Sequence, residues 1–313
     1  MGAAQGRGRT GAEASIIRKF TLWWFRQPGA ISHVSVNVQI DAGPMLAYLA
    51  ALAAQRAGQT PKITVQHLLA GAIGRALHAV PAANARVVGD HIVPQPHVGL
   101  AMPVNLLGRG AAETAAEGAE LGMAIVERVE SRNLVEISAA THRSVEGERS
   151  GRSTNPFVGV VKRLGAQLPQ PALNVGLNLM ARGARSRRLQ RPAEALLPVT
   201  AGLTNPGAAL GQAPGARFMG AAFSLPNALV QVGTVWGITG VQDEVVAVAG
   251  RPEVRPMLPV LLLFDHRLID GVRAGRLLHR FAEILAVPAL WFGADGAQPG
   301  PSPAAGAPGA PQP

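Results

Sequence analysis

Cysteine is absent from the 313 residues. That excludes disulfides, thiolate zinc sites, iron–sulfur clusters and a cysteine nucleophile. Aromatic residues make up only 4%, with a single tyrosine, so stacking platforms for single-stranded nucleic acid are scarce. Zinc fingers need cysteine, and nucleic acid is not an expected partner. Charge is also low, at 15% against 48% hydrophobic residues, a composition that buries a core and does not stay disordered throughout. Long apolar runs are missing too. The run from Met257 to Phe264 is interrupted by Pro259 and is far too short to cross a bilayer. Met1 to Ser15 lacks the apolar centre of a signal peptide, and Gly6 stands where myristoylation needs Ser or Thr. A cytoplasmic location is expected.

The charge that is present is lopsided. The net charge is +10, and only Lys19, Lys62 and Lys162 of the 29 basic residues are lysine. An anionic partner is implied: a phosphate-bearing carrier, an acidic protein or a membrane surface.

Residues 1–15 are Gly/Ala-rich and read as a flexible leader, and 293–313 as a disordered Pro/Gly/Ala tail, leaving 16–292 as the folded domain. Val34, Val36, Val38 and Ile40 alternate with polar residues, which predicts a strand with one buried face. Helical spacing predicts helices over 45–56, from Thr64 to just before Pro81, over 135–145 and over 272–285. Gly89-Asp90 between two short apolar runs predicts a hairpin. Further strands are expected over 98–104, 123–129, 199–203, 228–233, 245–248 and 257–264, with 108–121 a loop or weak helix. Such mixing of strands and helices, without regular alternation, predicts an α/β two-layer sandwich on a mixed sheet.

Residues 152–195 stand apart as an insertion. Phe157, Val160, Val161, Leu164 and Leu168 form one stripe, and Ala172 to Ala181 a second apolar stretch followed by Arg182, Arg185, Arg187, Arg188 and Arg191. A helical pair covering the domain's own surface is the plainer expectation, because such stripes usually face a core. A basic amphipathic element for an acidic carrier or a membrane surface is the functional one. Between carrier or CoA and membrane, the first is favoured here, with Arg185, Arg187 and Arg188 as the anion-binding residues. The apolar stretch is short for an interfacial anchor.

The sharpest local signal is Phe264-Asp265-His266-Arg267-Leu268-Ile269-Asp270-Gly271. A buried strand ends in a histidine, an aspartate and glycine follow four and five residues later, and a helix begins at once. An aspartate there can cap the helix, and a histidine there can stand at a pocket mouth as a base. The stretch from Arg255 to Gly271 closely resembles the active-site segment of the 2-oxoacid dehydrogenase acyltransferases, the dihydrolipoyl acyltransferases, which share the chloramphenicol acetyltransferase fold. Ala30-Ile31-Ser32-His33 resembles that family's Ile-Pro-His segment. Pro81, Asn84 and Gly89-Asp90 resemble its Pro-x-x-Asn and hairpin, and Leu203-Thr204-Asn205-Pro206-Gly207 its Ser/Thr-Asn turn.

The resemblance implies an acyl transfer between a thioester and an acceptor. His266 would be general base toward a thiol of CoA or of a dihydrolipoyl group, and Thr204 the donor to the tetrahedral oxyanion. Asp270 would fix the loop, with Arg18, Asn205 and Gly271 supporting the site. It also implies a homotrimer, or a larger assembly of trimers, in which His266 and Thr204 meet across subunits. The carrier, CoA or a lipoyl or acyl-carrier protein, would come in trans, because the first folded element begins near residue 16; no metal is implied. Glu120 to Val126 replaces the family's Arg-Gly-Leu-x-x-Pro-Val loop without its arginine, and 108–121 and the stretch between Gly207 and Ser224 read as further insertions. A catalytically inactive trimeric scaffold or binding protein of the same fold is therefore the alternative.

Overall fold

The computed structural model describes residues 32–88, 91–105, 121–150, 153, 155, 159–160, 168–184, 186, 189, 197–206, 218–221 and 231–301. The expected leader and Arg18 lie outside them, as do Gly89-Asp90, most of 108–121, Phe157, Val161 and Leu164 of the first stripe, and Arg185, Arg187, Arg188 and Arg191.

The first strand, β1 (His33–Asp41), follows the period-2 pattern and lies antiparallel to the long β9 (Arg251–Asp265) over its whole length. On the other side of β9 runs β7 (Thr234–Ile238), also antiparallel. Then come β6 (Ala201–Thr204) and β4 (Leu100–Asn105), both parallel, and finally the antiparallel β5 (Leu121–Val126). The eighth strand, β8 (Gln242–Val248), pairs with the first half of β9 and makes a hairpin that projects beyond β7. Strands β2 (Ala85–Val88) and β3 (His91–Pro94) pair antiparallel in a separate two-stranded sheet.

Helices α1 (Gly43–Gln55), α2 (Val65–Ala79), α3 (Leu134–Arg149), α5 (Gly271–Ala286) and the short α6 (Pro288–Phe292) supply the helical layer. Phe264, Leu262 and Val260 of β9 and Trp236 of β7 point to that layer and meet Leu69, Ile73 and Leu77 of α2 and Leu277 and Phe281 of α5 in one core. Trp236 and Phe281 pack ring against ring at 4.8 Å. The other face carries a smaller cluster, in which Val235 and Leu263 meet Val199 and Val232. The two-layer mixed-sheet sandwich expected from the sequence is therefore observed.

Three differences are instructive. The strand expected at 228–233 lies instead at Thr234–Ile238, with 228–230 outside the described residues. All five of its residues are buried, so no alternation marks it in the sequence. The expected disordered tail is in part ordered: residues 293–301 fold back on the domain. Tyr48 donates to the Gly293 carbonyl at 2.7 Å, Leu134 N–H to that of Gly296, and Gly300 N–H to that of Ser131. The buried Arg75 donates to Trp291 and Gln298 carbonyls and lies over the Phe292 ring. Gly300 passes so near Glu130 that a Cβ there would overlap its carbonyl. Composition signals disorder, but main-chain bonds hold this segment. Third, the apolar stretch of the insertion is a helix, α4 (Gln170–Ala184), and Val175 and Leu179 on it are exposed instead of covering the domain.

Helix α2 begins at Thr64, as expected, but its capping partner is unusual. His67 is at the third helical position, and its Nδ1 accepts the Thr64 N–H at 3.1 Å. Protonation would set two donors against each other, and burial alone already pushes the His67 pKa down to about 4. A pKa lower in the folded than in the unfolded chain makes the contribution complete above pH 6.5 and lost progressively toward pH 4. We predict that His67→Gln, which keeps a capping side chain, flattens the fall in unfolding free energy between these values. The change should reach up to about 1.4 kcal/mol per pH unit, measured by urea denaturation across the range.

Candidate active site

β9 ends where three chain segments converge. Asp265 N–H donates to the Gly233 carbonyl just before β7, and His266 N–H to the Ser32 carbonyl just before β1, at 2.7 Å. Leu268 and Ile269 N–H groups both return to the Asp265 carbonyl, closing a tight turn. The side chains of Leu268 and Ile269 are buried in the core, so the turn is pinned from below. His266, half-buried, sits at the top of this turn, with the Phe264 ring edge-on 6.1 Å away. A strand end fixed by its neighbours thus presents an imidazole at the rim of the sheet.

Asp270 caps the helix that follows. It has extended backbone, and its Oδ1 accepts the Arg273 N–H at 2.9 Å. Both meanings of an aspartate at this spacing therefore coincide: it caps α5 and, in doing so, sets where the His266 turn ends. Gly271 is the first residue of α5, and a Cβ there would meet nothing within 4 Å.

Three further side chains complete the corner: Asp265, Arg267 and His33, none of them among the site residues expected from the sequence. Asp265 is buried, and Arg267 answers its carboxylate twice over: Nε and the backbone N–H reach Oδ1 at 2.9 Å, and Nη2 reaches Oδ2. A carboxylate and a guanidinium two residues apart at the end of an apolar strand are a local signal that could have been read as this clamp. His33 lies directly opposite Asp265 in the β1–β9 register. Partial burial lowers its pKa below 6.5; Asp265 opposes that shift and Arg267 adds to it.

Thr204 lies elsewhere. It ends β6, in the row of Gly237 and Leu261, whereas Ala201 shares the row of Thr234 and Phe264. Along the strands and across two of them, Thr204 is roughly 15–20 Å from His266 in the same chain. Asn205 follows it, half-buried. The chain therefore brings His266, Asp270 and Gly271 together and leaves Thr204 and Asn205 apart from them.

The family model for the catalytic domain of 2-oxoacid dehydrogenases acyltransferase matches residues 17–156 and 219–293. The dihydrolipoyllysine-residue succinyltransferase component of the human mitochondrial 2-oxoglutarate dehydrogenase complex is 41% identical over 61 residues, which are 20% of this chain and 14% of that protein. Its counterpart from Rickettsia bellii is 37% identical over 54 residues, 17% and 14% of the two chains. Among solved structures, the cubic core of a pyruvate dehydrogenase multienzyme complex superimposes with a TM-score of 0.57 over 88% of this chain and 87% of the other, at 18% identity. A dihydrolipoamide acetyltransferase from Azotobacter vinelandii, studied for the catalytic role of a serine, a histidine and an asparagine four places beyond that histidine, gives 0.57 at 19% identity, over 88% and 87%.

The clamp at the strand end generates a prediction. Asp265→Ala leaves the guanidinium of Arg267 without its carboxylate, at a cost of about 3 kcal/mol in unfolding free energy, and loosens the His266 turn. Chemical denaturation checks the first effect, and broadening or displacement of the His266 imidazole resonances in NMR checks the second. With the family model matching more than half of its length, on both sides of the insertion, this chain belongs to the 2-oxoacid dehydrogenase acyltransferase catalytic-domain family.

Proposed function

We infer that the protein transfers an acyl group between a thioester and a thiol, with His266 as general base. The observation that carries this reading is the held strand end: a half-buried imidazole on a turn tied to Ser32, Gly233 and a buried Leu268–Ile269 pair. A neutral imidazole suits the step, since its ordinary pKa lies near neutrality. The acceptor's S–H proton passes to the imidazole as its sulfur attacks the thioester carbonyl. A new C–S bond forms, and the oxyanion takes a hydrogen bond from Thr204. Collapse breaks the donor's C–S bond, and the imidazolium returns its proton to the departing thiolate. Asp270 acts as a positioning residue through the cap of α5. CoA or a lipoyl group supplies the thiol chemistry.

The separation of Thr204 from His266 supports a site shared between chains, hence a homotrimer or a larger assembly of trimers. The spacing of histidine and capping residue is also that investigated in the Azotobacter acetyltransferase. The alternative, an inactive scaffold of the same fold, is favoured by one feature: Glu120 to Val126 stands where the family carries an arginine.

A thiol-release assay over a panel of acyl-CoA donors separates the two. Turnover lowered by about 10²–10⁴-fold in His266→Ala, with the assembly intact, is the expected result. No turnover with any donor from an intact assembly would favour the scaffold. Thr204→Ala should lower kcat by about 10²–10³-fold. Co-expressing the His266→Ala and Thr204→Ala chains should then restore part of the activity, because mixed trimers contain some complete sites. A fully active monomer by light scattering would defeat the shared-site reading.

A further inference from the structure

The family match stops at residue 156 and resumes at 219, so the insertion lies outside what the family explains. Its charge is extreme. From Ser150 to Ala193 there are eight basic residues, among them Arg152, Lys162, Arg163 and Arg182, and no acidic one. The rest of the chain holds 21 basic against 19 acidic residues. Nearly all of the +10 net charge therefore sits in 44 residues of the chain.

The same stretch displays aliphatic side chains to solvent. On α4, Val175 and Leu179 are 60% and 59% exposed, and being four residues apart they share one face. Asn174, Asn178 and Arg182 form the polar row beside them, and all three are exposed. Leu168 before the helix and Leu189 after it are 45% and 51% exposed, and Val160 is 49% exposed. A soluble surface seldom gathers so many large aliphatics in one short stretch unless something covers them.

We propose that α4 and its flanks dock on an anionic lipid bilayer surface. Charge decides against a second copy of this chain as the occupant, since no region of comparable negative charge exists to answer the insertion. Scattered aliphatic side chains decide against a folded acidic carrier. A rigid protein needs a fixed complementary surface, whereas a fluid interface accepts valine and leucine wherever they protrude. An amphipathic helix with apolar side chains on one face and arginines at and beyond its end combines the two signals that hold a protein at a membrane. The apolar element is longer than the 172–181 stretch alone: the helix has 15 residues, and the exposed leucines flank it at both ends. That length removes the reason for preferring a carrier or CoA as the partner of the arginines.

The test is co-sedimentation of the full chain with vesicles of phosphatidylcholine alone and of an equimolar mixture with phosphatidylglycerol. Binding to the mixture and not to phosphatidylcholine is expected, falling as salt rises to about 0.5 M. Val175→Ser with Leu179→Ser should lower the partition coefficient by about tenfold or more. Arg182→Glu should lower it as well, and both variants should leave the unfolding midpoint and the thiol-release rate unchanged. Failure to bind anionic vesicles at low salt overturns the proposal, and so does binding that the paired serine substitution leaves intact. Capture of an acidic lipoyl or acyl-carrier domain, in the absence of vesicle binding, would give the surface to a protein partner instead.

Discussion

The pairing of β9 is the constraint on which the rest of the structure depends. Its last nine residues are matched one for one by β1, five of these also by β7, and its first seven by β8. A strand bonded on both sides has little freedom to slide, because a one-residue slip would turn Phe264, Leu262 and Val260 out of the core and Leu263 into it. The position of Asp265, and with it the turn that carries His266, is therefore set by the register of the central sheet. The His266 imidazole is thus held at the end of a registered strand and not on a free loop.

Electrostatics divides the molecule into two regimes. Around the sheet, charges are answered at close range. Arg267 clamps Asp265, Arg255 bridges Asp41 and Glu253, and Gln39 donates to both oxygens of Glu244. These contacts orient backbone at strand ends, and those that are exposed contribute little to stability. In the insertion, positive charge accumulates without acidic residues in the same stretch of sequence, next to a helix whose aliphatic side chains face solvent. The first regime belongs to the sheet scaffold, and the second is the one on which the proposed docking rests.

The ordered return of residues 293–301 adds a constraint from the C-terminal side. Arg75, whose burial pushes its pKa down to about 10, donates to the Gln298 carbonyl of that segment and to the Trp291 carbonyl just before it, and lies on Phe292. Removing the segment would take away one of the two carbonyls that the buried guanidinium donates to, so a piece of chain with the composition of a linker helps to satisfy a buried charge on α2.

Much of this was legible in the residues themselves. The alternation from Val34 to Ile40, the spacing of Leu68, Leu69, Ile73 and Leu77, the Asp270 cap and the histidine at the end of an apolar run are local signals, and local signals survive without knowledge of the fold. The central strand Thr234–Ile238 was not legible, because burial on both faces erases the period that would mark it. The Asp265–Arg267 pair is a local signal, but that it forms a clamp depends on Asp265 being buried. By itself, then, the sequence determined roughly where most helices and the half-exposed strands lie, which residues could act as base and cap, and which stretch concentrates the charge. Only the tertiary structure decided that Thr204 and His266 lie rows apart, that a proline- and glycine-rich tail is partly held, and that Val175 and Leu179 remain uncovered. Each of these is a question of which surfaces meet, and that is settled by long-range packing, not by the properties of neighbouring residues.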